Sequence, residues 1–259
     1  MSSTVQFSFD LISDLDLSPD QDFNHCGKQT SMYCIVAGNI SSSRKKLVSV
    51  LTHLGECYKN VFFLDGRLEH LDYLHDIEQS YEELEAIIDQ IPNVTFLHNK
   101  MIVMEKYALL STNLWWSHDF DTDIDYWETI ISTACEIGCT DQELENIQIL
   151  AVSDSNYLET SVERLQVLPE VSNIIVVTST VPDASLIAHD RRIAKKPIFN
   201  RMGNSFATAC LKRDVEDKIS VWCFGTYQEQ IDTQIGDIRY VCNPASSNPY
   251  NYVPLKITV

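Results

Sequence analysis

The sequence predicts an α/β protein in which two β-sheets carry helices on their outer sides. Short apolar runs bounded by turn residues alternate with helical patterns along the chain, which is typical of this class. A length of 259 residues with 44% hydrophobic residues suffices for a large buried core. No internal repeat and no linker rich in proline, glycine or serine interrupts the pattern, so we expect one domain over residues 1–259.

The first quarter of the chain predicts two strands, a helix and a third strand. Serines at the start of the helix are favourable N-cap residues, and apolar residues recur on one of its faces from Leu47 to Leu54. Strand, helix and strand in this order imply a right-handed crossover between parallel strands. These elements are expected at residues 5–13, 31–38, 41–58 and 60–65.

The rest of the chain predicts a second sheet and more helices. A second amphipathic helix is stopped by Pro92, and the three short runs after it indicate an antiparallel meander that joins the second sheet. Residues 119–168 are helical and acidic in pattern. The expected elements are a helix at 72–91, the meander at 93–99, 100–106 and 107–116, a strand at 171–180, a helix at 203–218, and strands at 220–225, 229–237, 238–244 and 255–259.

The charge of the chain bears on its partners. A net charge of -18, from 19 basic and 37 acidic residues, repels phosphate backbones and anionic lipid headgroups. No apolar stretch approaches the roughly 18 to 20 residues of a membrane span, and the start of the sequence lacks the pattern of a signal peptide. We therefore expect a cytoplasmic protein with a protein partner or self-association, and we expect it to bind neither nucleic acid nor membranes.

The eight cysteines are expected to be free and mostly buried. Cys34, Cys223 and Cys242 lie inside apolar runs, where cysteine behaves as a small hydrophobic residue. Cys135 and Cys139 have no second pair at the spacing of a zinc site, so they do not predict a structural zinc.

Five blocks in the same order resemble the calcineurin-like metallophosphoesterases, specifically their small bacterial and phage-type members. Strand cores and turns agree with the family better than the chemical groups do. The resemblance implies a four-layer sandwich of two mixed β-sheets flanked by helices, with a metal site at the ends of the strands. The blocks are FSFDLISDLDL with CIVAGNI, NVFFLDGRLEH, residues 91–120, NIIVVTSTVPD, and residues 221–259.

In this family two divalent metals clamp the phosphate and ionise the attacking water, and Asp, Asn and His side chains hold them. Asp14 stands where the family has its first aspartate. Asp16 stands in place of a histidine ligand, which alters geometry and charge. Asn39 replaces the aspartate that bridges both metals, and a neutral amide bridges two cations poorly.

The remaining ligand positions of the resemblance carry other side chains. Arg67 replaces an asparagine ligand, and its permanent charge would repel a metal and pair instead with Asp14 or Asp16. Leu68 replaces the histidine that acts on the leaving group, and leucine donates neither a proton nor a hydrogen bond. Histidine ligands are replaced by Ser179, Thr226 and Gln228.

Two functional hypotheses follow. The first is a catalytically inactive protein of this fold, with no metal or other cofactor and no catalytic residues, that acts as a binding or structural module. The second is a diverged metal-dependent phosphoesterase that uses one divalent metal, such as Mn or Mg, at Asp14 and Asp16, or a relocated site at Asp22 and His25. Metal content separates the two hypotheses.

Overall fold

A computed structural model describes residues 6–245 and 252–259. Its strands are short, and most central ones are buried on both faces, as expected where a helix or a second sheet covers each side. In chain order they are β1 (Ser8–Ile12), β2 (Tyr33–Ala37), β3 (Asn60–Leu64), β4 (Val94–Phe96), β5 (Lys100–Met104), β6 (Tyr107–Thr112), β7 (Asn173–Thr178), β8 (Ile219–Cys223), β9 (Ile231–Ile235), β10 (Ile238–Cys242) and β11 (Leu255–Thr258).

The strands form two mixed sheets. The order in the first is β11-β1-β2-β3-β4, in which β1 to β4 run parallel and β11 is antiparallel to β1. The order in the second is β5-β6-β7-β8-β10-β9, in which only the edge strands β5 and β9 pair antiparallel. In each sheet the carboxyl ends of the parallel strands therefore lie along the same edge.

The helices begin at defined caps. The Ser43 hydroxyl accepts the backbone N–H of Lys46 at the start of the first helix, and Thr140 with Glu143 forms a capping box at the start of the longest. The α-helices are α1 (Arg44–Cys57), α2 (Ile77–Ile88), α3 (Tyr126–Ile137), α4 (Asp141–Gln166) and α5 (Pro197–Asn200), and short 3-10 helices span Arg67–Tyr73, Ala184–Leu186 and Ala207–Arg213. In the described part of the chain, no helix combines the length and the apolar character needed to cross a bilayer.

Alternating side chains along the strands separate the core into layers. On β2, Cys34 and Val36 join the apolar cluster under α1, whereas Ile35 and Ala37 join the cluster between the two sheets. Because successive side chains of a strand point to opposite faces, one face of each sheet packs against helices and the other face packs against the second sheet. The α/β sandwich of two mixed sheets flanked by helices, expected from the sequence, is confirmed.

Two sequence-based assignments are wrong in detail. Strand β4 belongs to the first sheet, parallel to β3, because the chain returns through α2 in a second parallel crossover rather than starting a meander. The helix expected at 203–218 is reduced to the 3-10 helix Ala207–Arg213. There the Asp214 carboxylate accepts the backbone N–H groups of Lys218 and Ile219, which turns the chain into β8.

Candidate functional site

The loops after four parallel strands meet in one cleft. The loops after β1, β2 and β3 come from the carboxyl ends of parallel strands in the first sheet, and the loop after β8 comes from the corresponding end of the second sheet, which lies against the first. The cleft holds a cavity of about 130 Å³. Its lining is Asp14, Asp16, Asn39, Arg67, Leu68, Ile198, Arg201, Met202, Thr226 and Gln228.

Seven of the eight candidate positions taken from the sequence thus line one cavity. The eighth, Ser179, lies beneath it and is buried. Its carbonyl oxygen accepts the Thr226 hydroxyl at 2.5 Å, and its own hydroxyl donates to the Asn113 carbonyl at 2.9 Å. Ser179 therefore supports the cleft wall rather than facing the cavity.

Four residues of the cleft have a left-handed backbone. Their φ angles are 47° at Asp14, 49° at Asp16, 57° at Asn39 and 68° at Thr226. Short polar side chains tolerate this region better than most, but a β-branched threonine there is an outlier. Such conformations persist only where the surrounding structure enforces them, and they turn the loops sharply so that their side chains meet.

Asp14 is buried and only half satisfied. Its Oδ1 accepts the Asn39 side-chain amide at 2.9 Å and the backbone N–H of Thr226 at 2.8 Å. Its Oδ2 is buried without a hydrogen-bond partner. Burial, and then the charge of Asp16, raises the pKa of the Asp14 carboxyl well above its usual range. The neutral acid is therefore favoured at this position.

Asp16 lies at the mouth of the cleft. Its Oδ2 accepts the Gln228 side-chain amide at 2.7 Å. Although the side chain reaches solvent, partial burial between the cleft walls raises the pKa of the Asp16 carboxyl. The hydrogen bond from Gln228 and the positive charge of Arg67 oppose that shift. A hydrogen bond thus joins Asp16 to Gln228, and both residues stand where the family resemblance places histidines.

Asn39 connects three of the loops. Its side-chain amide donates to Asp14, and its Oδ1 accepts the backbone N–H of Leu68 at 3.1 Å. Beneath it, the buried Glu69 carboxylate accepts four backbone N–H groups, those of Asn39, Ile40, Ser41 and Gly66, at 2.7 to 3.1 Å. Burial raises the pKa of Glu69 to about 7, against the effect of these hydrogen bonds. Glu69 fastens the loops after β2 and β3 and leaves no oxygen for the cavity.

The position of Arg67 corrects one sequence-based expectation. Within residues 6–245 and 252–259, its guanidinium forms neither a hydrogen bond nor an ion pair with Asp14, Asp16 or Asn39. Burial, and then the positive charge of Arg201, lowers the pKa of Arg67. Arg67 therefore faces a second cation across the cleft rather than replacing a metal by pairing with the carboxylates.

Arg201 is the cleft residue that sequence reasoning missed. It follows α5, and its guanidinium pairs with Glu136 of α3. The side chain is only 6% exposed, and its Nε is buried without a hydrogen-bond partner. No motif marks this segment of the sequence, and only the tertiary structure brings it to the loops.

A buried polar network lies behind the cleft. His70 contacts Asp65 through Nε2 and Ser80 through Nδ1, each at 2.8 Å, and Asn113 also donates to the Asp65 carboxylate. Burial opposes ionisation of Asp65, but the hydrogen bond and the charge of His70 outweigh this effect, so the pKa of Asp65 is lowered. Ser80, His70 and Asp65 are fully buried, so this serine is no accessible nucleophile.

The relocated site considered from the sequence is not assembled. His25 is buried, with Nε2 at 2.7 Å from the Tyr58 hydroxyl, whereas Asp22 is exposed, and neither residue lines the cleft.

Most of the cysteines are buried, as expected from the sequence. The buried free thiols are Cys34, Cys139, Cys210, Cys223 and Cys242.

The cleft does not fit a pair of metals. Asp14 Oδ1 accepts from the Asn39 amide and the Thr226 backbone, and Asn39 Oδ1 accepts from the Leu68 backbone, so both oxygens are engaged within the protein, and two arginines share the cavity. Only the unpartnered Oδ2 of Asp14 offers a buried acceptor that a cation would satisfy. A dinuclear centre needs several anionic or imidazole ligands in reach of both ions.

Neither a family model nor a curated protein matches the sequence, but solved structures match the fold. Phosphopantetheinyl hydrolase from Mycobacterium tuberculosis superposes with a TM-score of 0.67 at 13% identity, over 97% of this chain and 95% of that chain. GAP50, the anchor in the inner membrane complex of Plasmodium, superposes with a TM-score of 0.52 at 11% identity, over 93% and 72%. Identities this low establish the fold alone. The chain shares its fold with these solved structures, and that fold is the sandwich of two mixed sheets flanked by helices that the resemblance in its sequence implies.

Proposed function

We propose that this protein is a catalytically inactive metallophosphoesterase-like protein that acts as a binding or structural module. The observation that carries the proposal is the internal pairing of the former ligand positions. Asn39 is bonded to Asp14 and to the Leu68 amide, and Asp16 to Gln228, so most polar groups at these positions are engaged within the protein, Asp14 Oδ2 excepted. The fold keeps the strand ends and loop turns of the cleft, while the polar groups there bond to one another. This combination suits a protein that acts through binding contacts rather than through catalysis.

The chemical character of the cleft supports the same proposal. Leu68 stands where the family resemblance places a proton-donating histidine, and loss of general acid catalysis typically costs on the order of a hundredfold to ten-thousandfold in rate. Arg67 and Arg201 add positive charge where metals would have to bind. One protein of this fold, GAP50, is described as an anchor, so the fold is compatible with a non-catalytic role.

The partner we propose is another protein or a second copy of this chain, in the cytoplasm. The net charge of -18 disfavours nucleic acid and anionic membranes. Exposed apolar side chains on α3 and α4, namely Trp127, Ile131 and Ile149, support a protein contact, because exposed clusters of this kind mark interaction surfaces. Sedimentation velocity over a range of concentrations distinguishes self-association from a stable monomer.

A specific observation favours a second candidate, a diverged phosphoesterase with one metal at Asp14 and Asp16. The buried, unpartnered Oδ2 of Asp14 is an acceptor that Mn²⁺ or Mg²⁺ would satisfy. Against it, burial raises the pKa of Asp14, so a cation would have to displace a proton that the buried carboxyl holds more tightly than an exposed one.

Calorimetric titration with Mn²⁺ and Mg²⁺, together with hydrolysis of a phosphomonoester and a phosphodiester, tests the proposal. We expect no cleft-dependent binding and no hydrolysis above that of Asp14→Asn. A matched control restores the ligand set of the resemblance, with Asp16→His, Asn39→Asp, Arg67→Asn, Leu68→His, Ser179→His, Thr226→His and Gln228→His, and is expected to gain metal binding. Metal binding or hydrolysis by the wild type that Asp14→Asn abolishes would contradict the inactive assignment and favour the second candidate.

A further inference from the structure

A cluster of soft metal ligands lies outside the cleft, where the loop between β1 and β2 crosses the outer face of α1. It consists of Cys26 from the loop and His53 and Cys57 from the helix, and their ligand atoms all lie within 4.8 Å of one another. His53 and Cys57 are four residues apart on α1, so they project from the same face in successive turns.

The distances suit one tetrahedral ion. Zinc binds thiolate sulfur at about 2.3 Å and imidazole nitrogen at about 2.0 to 2.1 Å, which places the sulfur and nitrogen ligands roughly 3.6 Å apart. Cys26 Sγ and His53 Nε2 are 3.9 Å apart. A few tenths of an ångström of side-chain movement therefore brings them to bonding distance of a shared ion.

The cluster is also accessible. Cys26 is exposed, and His53 and Cys57 are half-buried, so an ion enters from solvent while the helix holds two of its ligands in place. The large negative charge of the chain raises the local concentration of cations. Binding has one identifiable cost, because His53 Nε2 accepts the backbone N–H of His25 at 3.0 Å and must release it.

We propose that Cys26, His53 and Cys57 form a zinc site with a fourth position open to water. Both thiols lose their protons to solvent on binding, and the two thiolates neutralise the ion. The site joins the loop 13–32, which begins with the cleft residues Asp14 and Asp16 and contains neither helix nor strand beyond its first residues, to the rigid helix α1. Zinc thus fixes the course of the loop that carries the acidic wall of the cleft.

Cobalt is a spectroscopic probe for this site, because Co²⁺ takes tetrahedral thiolate sites and shows a thiolate-to-metal charge-transfer band. We expect the reduced, chelator-treated full chain to bind one Co²⁺ with that band, and Zn²⁺ to displace it. Cys26→Ser and Cys57→Ser should each weaken binding by at least about tenfold. Cys135→Ser, which removes an exposed cysteine outside the cluster, should leave binding unchanged.

The absence of a thiolate band, or a band that Cys57→Ser leaves intact, overturns the proposal. A disulfide between Cys26 and Cys57 that persists in the protein purified under reducing conditions also overturns it, since the thiols are then unavailable. The Asp14→Asn variant keeps this result separate from the cleft. It should retain the cobalt band, whereas any ion held in the cleft depends on Asp14.

Discussion

At the level of single residues, the cleft contains a buried carboxyl group with one unpartnered oxygen. It also contains two arginines, and among the described residues neither forms an ion pair with a carboxylate of the cleft. Asp14 accepts two hydrogen bonds on one oxygen and none on the other. Arg67 lacks an ion pair in the described part of the chain, and Arg201 pairs with Glu136 outside the cleft wall. Each arrangement has a consequence for stability that a substitution reveals.

Replacing Asp14 with asparagine is expected to stabilise the protein at neutral pH. The folded state raises the pKa of Asp14 above its unfolded value, so the folded state holds the proton more tightly. Stability is therefore greatest below the unfolded pKa of about 4 and falls as pH rises toward the folded pKa. Asp14→Asn removes this loss and should therefore raise the free energy of unfolding at pH near 7.

Urea denaturation at neutral and at acidic pH measures the effect. The difference between wild type and Asp14→Asn should disappear below a pH of about 4, where the wild-type carboxyl is protonated in both states. Asp16→Asn, at the exposed cleft mouth, is the control and should change stability less. A variant that is destabilised at both pH values would mean that the carboxylate itself is required.

The two cleft arginines are expected to respond differently to Met, which keeps an apolar side chain of similar length. Arg67→Met should change the free energy of unfolding by less than about 1 kcal/mol, because no direct pair is lost and repulsion from Arg201 is relieved. Arg201→Met should be more destabilising than Arg67→Met but by no more than about 1 kcal/mol, because Glu136 loses its partner and, being 51% exposed, is then solvated by water. Chemical denaturation of both variants checks the order, and a larger loss for Arg67→Met would restore its assignment as the counter-charge of the carboxylates.

At the level of elements, the cleft is assembled where the ends of both sheets approach each other. Gly225, just after β8 of the second sheet, lies against Ala37, the last residue of β2 in the first sheet. A Cβ at Gly225 would stand 2.3 Å from the Ala37 carbonyl oxygen and 3.2 Å from Asp14 Oδ2. The close approach of two backbones therefore requires glycine at this position.

Gly225→Ala is therefore expected to destabilise the protein by about 1 to 3 kcal/mol and to disturb the Asp14 loop. Gly138→Ala is a control that has a positive φ of 70° but open space around the added methyl group, so it measures backbone strain without a clash. Its cost should be smaller, about 1 kcal/mol. Equal effects of the two substitutions in thermal denaturation would show that the sheets adjust freely at this contact.

At the level of the whole molecule, the sandwich places apolar layers between the sheets and under the helices and leaves most of the charged side chains outside. Cys34, Cys223 and Cys242 belong to these layers, because their neighbours in sequence are strand-core residues. Burial raises the pKa of Cys223 and Cys242, so these thiols are poor nucleophiles as well as inaccessible.

Titration of the folded, metal-free protein with a thiol reagent is expected to label Cys26 and Cys135 quickly and Cys57 more slowly, because the first two are exposed and the third is partly buried. The five buried cysteines should react only after unfolding, when all eight become available. Mass spectrometry of the labelled peptides assigns the sites. Rapid native labelling of Cys223 or Cys242 would contradict the layered core, and extensive prior oxidation would contradict a reducing compartment.

The sequence alone determined the fold class, because the apolar periods of strands and helices are local and reflect which faces are buried. The resemblance to a known family also identified the cleft positions, because each of them was matched to a ligand position of that family. The expected positions from Asp14 to Gln228 accordingly gather at one edge of the molecule.

Only the tertiary structure decided which of these groups contact one another. Arg201 and Glu136 come from segments without a motif, and their pairing depends on how α3 and α5 pack together. Likewise the Cys26 cluster depends on the path of a loop that no periodicity describes. Hydrogen bonds and ion pairs need positions accurate to a fraction of an ångström, and that accuracy arises from long-range packing rather than from local sequence patterns.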